Sequence, residues 1–394
     1  MKINNNILSF CIATYNRENT LKLSLPDLIE KIKKYEIKIF ISDNASTDNT
    51  ESYILSLQKV YPYIFYKKNE TNIGADANFE KVLKFSDTKY RWLLNDHNGI
   101  NDISSLEEII KYLTTSDNID ILVVNEISRI KNIESRIYTN HEEVIIDLGW
   151  HMTLMSSLIY SEKIIQQANF KKYHGNIFLQ TLVVFEYIAS HDFKLLWLSH
   201  PVLKNFDIIG NPTWHNDVFN VFGKVWYNSI KSLPSNYSNA AKEKCIKDHG
   251  YYANMFTLER LEYFRTKGGI SIRKVCRNLY YIYKVSNMKT VMSTIILCFI
   301  PMKHLKNFNL FIATIGYLKL IIKYPEYRKG LHVLFGIYIY RQDLQITFSA
   351  TNPKWIKNLI IWACTHGISI DGAKNQLIPF ANQYKILSRI LRDY

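Results

Sequence analysis

The chain lacks the cysteine patterns and the glycine-rich or nucleophile motifs that mark several large enzyme classes. Its five cysteines are isolated and odd in number, which argues against a disulfide framework and favours a reducing compartment. It has no G-x-x-x-x-G-K-[ST] phosphate loop, no G-x-S-x-G turn and no paired C-x-x-C. These absences argue against a P-loop nucleotidase, an α/β-hydrolase and a C-x-x-C redox or zinc protein.

Long apolar runs are also absent. The two most apolar stretches, residues 291–302 and 308–322, are each shorter than the ~18 residues expected of a membrane span, and Lys319 interrupts the second. The first six residues lack the apolar core of a secretory signal. We therefore expect a cytoplasmic protein without a membrane-spanning helix.

What the chain does have is an apolar segment followed at once by polar residues, four times within the first 100 residues. Apolar residues at helical spacing occupy the intervening segments 21–32, 50–57 and 78–85. Strand, polar loop and helix in this repeating order predict an α/β fold whose loops share one edge of a parallel sheet. The predicted strands and their loops are residues 7–13 before 14–17, 37–41 before 42–48, 63–66 before 67–74, and 90–94 before 95–98.

The loop after the fourth predicted strand carries the strongest signal for chemistry. The run 90–94 ends in Asn95-Asp96-His97-Asn98, and open parallel sheets bind ligands at the carboxyl ends of their strands. A carboxylate and an amide oxygen two residues apart can share one hard divalent cation, and such a cation can hold a diphosphate. The alternative is that Asp96 only caps a turn that is formed by Asn98-Gly99. Asp43 likewise stands at a strand end and not at a helix entry.

Four sequence blocks follow the predicted strands: Ala13-Thr14-Tyr15-Asn16-Arg17, Ser42-Asp43-Asn44-Ala45-Ser46-Thr47-Asp48, Asn72-Ile73-Gly74-Ala75 and Asn95-Asp96-His97-Asn98. In this order they resemble the family 2 glycosyltransferases with the GT-A fold, in particular the bacterial enzymes that build O-antigen and capsule sugars. The resemblance is dense over about the first 100 residues and thins toward about residue 215. It implies a Rossmann-like, mostly parallel central sheet with helices on both faces, and transfer of a sugar from a nucleotide-sugar.

The resemblance implies roles for residues in these blocks. Asp43 would accept a hydrogen bond from the imide of a uracil ring, and Gly74 would permit close backbone approach. Asp96 and Asn98 match the ends of the family's Asp-x-Asp motif, which binds Mg²⁺ or Mn²⁺ and the donor diphosphate. Asn98 replaces the second acid, so we expect weakened metal binding, with a metal-free site as the alternative. The implied donor-binding residues are Ala13, Thr14, Tyr15, Asn16, Asp43, Asn72, Gly74, Asn78 and Asp96.

Two histidines later in the chain extend the resemblance. His215, within Trp214-His215-Asn216-Asp217, would be a third metal ligand that closes the donor site. The alternative is that this segment only starts a helix that runs to Ile230. His151 would line the acceptor channel, and packing of His151 against the sheet is equally open.

An inverting transferase needs a base that takes the proton of the acceptor hydroxyl. Matching the predicted helix 177–190 to the family puts Gln180-Thr181 where an acidic pair belongs, and neither residue is a base. Glu186, within the helix, and His174, just before it, are the candidate catalytic substitutes. Because a carboxylate in an otherwise apolar helix is costly without a role or a partner, Glu186 is slightly favoured. The alternative is an exposed Glu186 on the polar edge of the helix.

Charge is divided unevenly along the chain. Residues 1–239 hold 25 Lys and Arg against 27 Asp and Glu, a net of −2, and residues 240–394 hold 24 against 8, a net of +16, which together give +14. We expect a catalytic domain over residues 1–235 and a basic, aromatic-rich helical domain over residues 236–394. This second domain would lean on the anionic inner leaflet, and residues 355–362 have the Trp and Lys mixture of an interfacial helix. The alternative is an ordinary helical domain whose charge aids only solubility. Nucleic acid is not expected, because no recognised nucleic-acid-binding motif accompanies the charge.

The sequence thus predicts an inverting glycosyltransferase, peripheral on the inner face of the cytoplasmic membrane, that moves a sugar from a UDP-sugar to a glycan or lipid-linked acceptor in bacterial surface polysaccharide synthesis. The second hypothesis is a catalytically silent protein of the same fold, acting as a membrane-bound assembly partner of an active transferase. Asn98 and the missing acidic pair keep this hypothesis open.

Overall fold

The protein's β-strands join in one mixed sheet. A computed structural model describes residues 6–116, 118–126, 129–206, 213–302, 305 and 322, and nine strands form within them. The strands are β1 Leu8–Thr14, β2 Lys38–Asp43, β3 Ile64–Lys68, β4 Tyr90–Leu93, β5 Asn98–Ile100, β6 Ile121–Glu126, β7 Arg136–Tyr138, β8 Leu158–Ser161 and β9 Leu195–Asn205.

The strand order is β3-β2-β1-β4-β8-β6-β9-β5, with β7 also paired to β9. The first four strands are mutually parallel, as predicted, and β6 pairs parallel with β9. The remaining pairs, β4 with β8, β6 with β8, β5 with β9 and β7 with β9, are antiparallel. The sheet is therefore parallel where the four polar loops leave it and mixed beyond β4.

The register of the parallel strands brings their carboxyl ends to one edge. Thr14 at the end of β1 lies beside Asp43 at the end of β2, and Asp43 lies beside Lys68 at the end of β3. Cys11 of β1 lies beside Leu93, the last residue of β4. This alignment carries the polar residues that follow each strand toward the same side of the sheet.

The described residues also form twelve α-helices, and the predicted helices 21–32, 50–57 and 78–85 correspond to the first three. Leu21, Leu25, Leu28 and Ile32 are buried at helical spacing along the first helix and pack in one core cluster with Phe10 of β1. The helices are α1 Glu18–Ile32, α2 Thr50–Gln58, α3 Ala75–Phe85, α4 Ile103–Thr115, α5 His141–Asp147, α6 Glu162–Gln167, α7 Leu179–Ser190, α8 Trp226–Lys231, α9 Asn239–Tyr252, α10 Leu258–Thr266, α11 Ile272–Val285 and α12 Met288–Phe299.

The chain divides into two compact units, and the first extends past the domain boundary predicted at residue 235. The first unit contains residues 1–256 and 267–292, and the second contains residues 257–266 and 293–394. Tyr237, 2% exposed, donates a hydrogen bond from its hydroxyl to the carbonyl of Phe185 in α7 over 2.8 Å. The turn-prone composition near Pro234 therefore marks a connection within the first unit, because the residues that follow it are anchored to the sheet domain.

The apolar stretches of the C-terminal part are only partly described. Most of the predicted stretch 291–302 lies in α12, whereas residues 308–321 and 355–362 fall outside the described residues. Among the described residues, no helix combines the length and the apolar character that crossing a bilayer requires.

Candidate functional site

The centre of the candidate site is the pair of strand ends formed by Thr14 and Asp43. Asp43 is fully buried, and its carboxylate accepts hydrogen bonds from the Ser46 amide at 2.8 Å and from the Tyr66 hydroxyl at 2.7 Å. The buried Thr14 Oγ1 has no hydrogen-bond partner among the residues that the structure describes. Burial, reinforced by Asp43, raises the pKa of Tyr66 well above its ordinary value, so its hydroxyl stays a donor. The strand ends thus combine a fixed carboxylate with an unused hydroxyl.

The loops after β1 and β2 are fastened to each other. The Asn16 side chain accepts a hydrogen bond from the Thr47 amide at 2.8 Å, and the Asn16 amide donates to Ser46 Oγ at 2.8 Å. Asn16 and Ala45 both have left-handed backbone conformations, with φ of 52° and 65°. Such conformations cost energy in non-glycine residues and concentrate at functional sites. Beside them Tyr15 leaves 44% of its surface exposed, an aromatic ring available to a ligand.

A network of asparagine side chains joins the loop after β3 to the loop after β2. Asn44 donates to the Asn72 side chain at 2.8 Å, and Asn72 in turn accepts from the Gly74 amide at 2.9 Å. Asn78, 2% exposed, accepts from Ser42 Oγ at 2.6 Å and donates to the Ser42 carbonyl at 2.9 Å. Gly74 has a φ of 84°, a backbone conformation that glycine adopts without steric cost because it has no Cβ. The buried Asn78 therefore fixes the end of β2, whereas the Asn72 side chain is exposed at the surface of the site.

The loop after β4 is joined to the loop after β1 through Asp96. The Asp96 carboxylate, 13% exposed, lies 3.3 Å from Arg17 Nε and 3.2 Å from His97 Nδ1. Ser24 Oγ of α1 donates to the Asp96 carbonyl at 2.5 Å. The Asn98 amide donates to the Asn95 carbonyl at 3.1 Å, which closes a turn with Asp96 and His97 at its centre, whereas Asn98 and Gly99, the turn of the alternative prediction, begin strand β5. The turn presents the Asp96 carboxylate to two cationic or ionisable side chains.

The four polar loops contact one another at one edge of the sheet. The loop after β2 contacts the loops after β1 and β3, and the loop after β1 also contacts the loop after β4. We call the segments 14–17, 43–48, 69–74 and 95–98 the four-loop edge. Ser42 and Ile73, at this edge, also line a cavity of about 410 Å³ whose other walls include Ala77, Glu80 and Lys81. Two hydrogen bonds and one ion pair between the loops show that the loops converge, as predicted.

Asn98 has a structural position that the sequence did not predict. It is 1% exposed, begins β5 and pairs in register with Asn205 of β9. Its side-chain oxygen accepts from Ser156 Oγ at 2.6 Å, and its side-chain nitrogen donates to Asn205 Oδ1. The oxygen expected to contact a cation is therefore already engaged, and Asp96 is the single carboxylate of the motif.

The predicted third metal ligand, His215, starts a helical run. It lies in a 3-10 helix, Thr213–Asp217, which is followed by the π-helical segment Asn220–Val225 and by α8. Its ring contacts the Trp214 ring edge to face at 4.0 Å. In the part of the chain that the structure describes, no group of three or more His, Cys, Asp and Glu side chains could hold a metal ion. Mg²⁺ commonly needs only one or two protein carboxylates besides substrate phosphates, and Asp96 meets that lower requirement.

His174, the first candidate base, lies against α3. Its Nε2 is 2.6 Å from Glu80 Oε2, and the neighbouring Gly175 amide donates to Asp76 at 2.8 Å. Burial opposes ionisation of Glu80, but hydrogen bonds from Lys84 and His174 outweigh it and lower the pKa of the carboxyl. Glu80 therefore stays ionised and orients the imidazole, in the way that a carboxylate orients a catalytic histidine.

Glu186, the second candidate base, lies in α7 and is paired with a lysine. Its Oε1 accepts from Lys172 Nζ at 2.6 Å, and its side chain is 29% exposed. Gln180 and Thr181 are buried and hydrogen-bond to the carbonyls of Thr153 and Met152. Gln180 and Thr181, at the positions where the family has an acidic pair, thus fix the backbone of the segment that contains Met152 and Thr153.

His151 is inside the protein and packs against the sheet, the second of its two predicted alternatives. It is fully buried, with Nε2 2.8 Å from the Val124 carbonyl and Nδ1 accepting from Arg129 Nε at 3.1 Å. Its ring meets the Trp197 ring of β9 edge to face at 5.4 Å. Burial, and then the charge of Arg129, lower the pKa of His151 to about 3, so it is neutral at physiological pH.

Several residues of the site were not predicted from the sequence. Arg17 follows Asn16 in the first block and received no predicted role, although a cation within a block implied in nucleotide binding could have been recognised as a phosphate ligand. Glu80, Ser156 and Asn205 gave no local signal, because each acts on a residue at least 58 positions away.

Residues 9–188 match the family model described as Glycosyl transferase family 2. This segment of the chain matches that family, and the resemblance of the four loops to the family is confirmed. The predicted fold class, an α/β sheet domain followed by helices, is confirmed as well.

Curated relatives match over short segments. The chain is 36% identical over 96 residues to the abequosyltransferase RfbV of Salmonella typhimurium, which covers 24% of this chain and 29% of RfbV. It is 40% identical over 75 residues to the dTDP-rhamnosyl transferase RfbG of Shigella flexneri, covering 18% of this chain and 26% of RfbG. The chain thus spans less than a third of the length of either relative.

Solved structures resemble the protein at low sequence identity. The crystal structure of Staphylococcus aureus TarS residues 1–349 in complex with UDP-GlcNAc has a TM-score of 0.47 at 14% identity, over 73% of this chain and 90% of that one. The mannosyltransferase PcManGT of Pyrobaculum calidifontis, in complex with GDP-Man and Mn²⁺, has a TM-score of 0.46 at 10% identity, over 74% and 86%.

Proposed function

We propose that the protein is an inverting glycosyltransferase that takes a sugar from a nucleotide-sugar, a UDP-sugar by preference, and passes it to a glycan or lipid-linked acceptor in bacterial surface polysaccharide synthesis. The observation that carries the proposal is the joining of four polar loops at the carboxyl edge of a parallel sheet within a family 2 domain. The names of two relatives, an abequosyltransferase and a dTDP-rhamnosyl transferase, support transfer of a sugar.

In this proposal the strand ends bind the nucleoside. The Asp43 carboxylate, held by Ser46 and Tyr66, accepts a hydrogen bond from the uracil imide. The exposed Tyr15 ring offers a stacking surface to the base, an interaction worth about 1–3 kcal/mol in single-stranded nucleic acid complexes. The unused Thr14 hydroxyl supplies a further donor to the ligand.

Asp96 and Arg17 would serve the diphosphate. A Mg²⁺ or Mn²⁺ ion bound with the donor would take the Asp96 carboxylate as its protein ligand and stabilise charge on the departing diphosphate. Arg17, now 3.3 Å from Asp96, would turn to the phosphate oxygens once that carboxylate is engaged elsewhere. Arg17 is 40% exposed at its side chain, so it has room to make this change.

Of the two candidate bases, the local contacts favour His174. Glu80 orients its ring at 2.6 Å, and Glu80 lies on α3, the helix that starts directly after Gly74 of the four-loop edge. Glu186 is neutralised by Lys172 instead. We assign proton removal from the acceptor hydroxyl to His174.

The first test is thermal stabilisation of the purified protein by a panel of nucleotide-sugars, with and without Mn²⁺. We expect UDP-sugars to raise the Tm most, because tight ligands stabilise the folded state by mass action. Asp96→Ala should lose this response and turnover, whereas Asp87→Ala, a variant of an exposed carboxylate paired with Lys38 at the start of β2, should keep both. Equal responses of both variants would refute the donor site.

A catalytically silent assembly partner of an active transferase is the second candidate function. It is favoured by the engagement of Asn98 with Ser156 and by the absence of an acid at Gln180-Thr181. Slow hydrolysis of a donor sugar by the purified protein, abolished by Asp96→Ala, would exclude it. Binding of a nucleotide-sugar without any turnover, even in the presence of membrane lipid extracts, would favour it.

A further inference from the structure

Helix α11 carries a second apolar stripe that faces solvent. Its inner stripe, Val275, Asn278, Ile282 and Val285, is buried, as expected of a helix packed on a domain. The outer stripe repeats at the same helical spacing but lies on another side of the helix. It consists of Ile272, Cys276, Leu279 and Tyr283, all exposed, with exposed fractions of 44% at Ile272, 42% at Leu279 and 48% at Tyr283. A surface helix that only packed on its domain would carry polar residues there.

Cations flank the outer stripe, and α11 itself carries no acidic residue. Arg273 and Arg277 are exposed, and neither pairs with an acidic side chain among the residues that the structure describes. Lys284 lies 5.6 Å from the centre of the Tyr280 ring. From residue 263 to residue 325 the chain has eleven Lys and Arg and not one Asp or Glu. Arg273 and Arg277 therefore flank the outer stripe without an acidic partner among the described residues, whereas Lys284 is within electrostatic reach of Glu243 in α9.

Exposed aromatic and flexible apolar side chains widen this surface. Tyr280 is 54% exposed, and its hydroxyl lies 3.1 Å from the Tyr227 hydroxyl. Met288 and Met292, which follow α11 in the same compact unit, are 58% and 51% exposed. Aromatic rings and long basic side chains are the residues that settle at a membrane interface.

We infer that the outer face of α11, defined by Ile272, Cys276, Leu279, Tyr283, Arg273 and Arg277, docks on an anionic lipid bilayer. The apolar stripe enters the boundary between headgroups and acyl chains, and the two arginines meet anionic headgroups. A nucleic acid would use the arginines but would gain nothing from isoleucine and leucine between them, so the bilayer is the occupant that fits both features. The inference goes beyond the proposed function and does not depend on sugar transfer.

The test is co-sedimentation of the full-length protein with vesicles of phosphatidylcholine and of an equal mixture of phosphatidylcholine and phosphatidylglycerol. We expect binding to the anionic vesicles and an about tenfold loss of partitioning in Leu279→Asp with Tyr283→Asp, and again in Arg273→Glu with Arg277→Glu. The matched controls are Leu55→Asp, at a position 44% exposed on α2, and Lys111→Glu on α4, both of which should bind as the wild type does.

Two outcomes would overturn the inference. One is vesicle binding by the Leu279 and Tyr283 variant at the wild-type level, with an RNA oligomer competing for the protein, because the face would then be a general polyanion surface. The other is equal loss in the Leu55 control, which would make the effect non-specific. The Tm of every variant is measured together with its vesicle binding. Because all changed positions are on the surface, unfolding can be recognised and separated from loss of docking.

Discussion

The four-loop edge and the segment 150–190 differ in how their residues come together. At the four-loop edge, the residues implied in donor binding follow strand ends that are adjacent in the sheet. Hydrogen bonds and one ion pair link each loop to another. In the segment 150–190, His151 is sealed inside the protein and Gln180-Thr181 bind backbone carbonyls. The residues predicted to bind the nucleotide are therefore brought together by local sequence patterns, whereas the contacts of the residues predicted for the acceptor side and for catalysis depend on distant partners.

The largest expected effect separates the two candidate bases of the segment 150–190. His174→Gln should lower kcat by about 10²-fold or more, the usual contribution of a general base. Glu186→Gln should lower kcat less than about threefold, because the Glu186 carboxylate is paired with Lys172 and interacts with Tyr173. The measurement is the steady-state rate with the donor identified by the nucleotide-sugar panel. A larger loss in Glu186→Gln than in His174→Gln would reverse the assignment.

The next effect separates positioning from binding at the four-loop edge. Asn78→Ala removes the side-chain partner of the buried Ser42 hydroxyl and carbonyl and one of the two acceptors of Asn69, so we expect a loss of about 2–3 kcal/mol in the free energy of unfolding. Asn72→Ala, at an exposed position, should cost less than about 1 kcal/mol and should instead weaken donor binding. Urea denaturation and nucleotide titration distinguish them, and the opposite pattern would show that Asn78 binds the donor and Asn72 supports the fold.

The predictability of the fold follows the same division. The strand ends at Thr14 and Asp43 could be predicted because an apolar run that stops at a polar block is a local pattern. The antiparallel strands β5 and β8 have three and four residues, too short for a period to be recognised. Asn98 was predicted as a ligand because its spacing to Asp96 was visible, whereas Ser156 and Asn205, which engage it, are far away in the sequence.

A pH effect is expected from the histidines buried outside the four-loop edge. Burial lowers the pKa of both His151 and His249 to about 3, with Arg129 adding to it, whereas an unfolded histidine titrates near 6.5. Because the unfolded chain binds these protons first, stability is complete above about pH 6.5 and falls as the pH drops toward 3.

At pH 5 each of these histidines should lower the free energy of unfolding by about 2 kcal/mol relative to neutral pH. His249 lies in a cluster of aromatic rings, and His249→Phe replaces it by a ring that does not titrate. This variant should therefore lack the part of the pH-dependent loss in stability that His249 causes. The measurement is the urea midpoint between about pH 7.5 and pH 5. An unchanged pH slope in His249→Phe would show that His249 is not held neutral.

The smallest effect concerns backbone strain at the four-loop edge. Ala45 has a φ of 65°, a conformation that glycine adopts without the clash of a Cβ. Ala45→Gly should raise the free energy of unfolding by up to about 1 kcal/mol, and a Tm shift would detect it. If the loop conformation also prepares the site, nucleotide affinity should fall as the looser backbone is ordered on binding; a gain in affinity would contradict this.

The sharpest test of a shared nucleotide site is calorimetric titration of UDP into the wild type and into Asp43→Asn, Asp96→Asn and the control Asp87→Asn. A single nucleotide clasped by loops after different strands requires that the Asp43 and Asp96 variants each lose about tenfold or more in affinity, in the presence of Mn²⁺, while the Asp87 variant keeps it. Wild-type affinity in both the Asp43 and the Asp96 variants would show that these loops do not bind one nucleotide together.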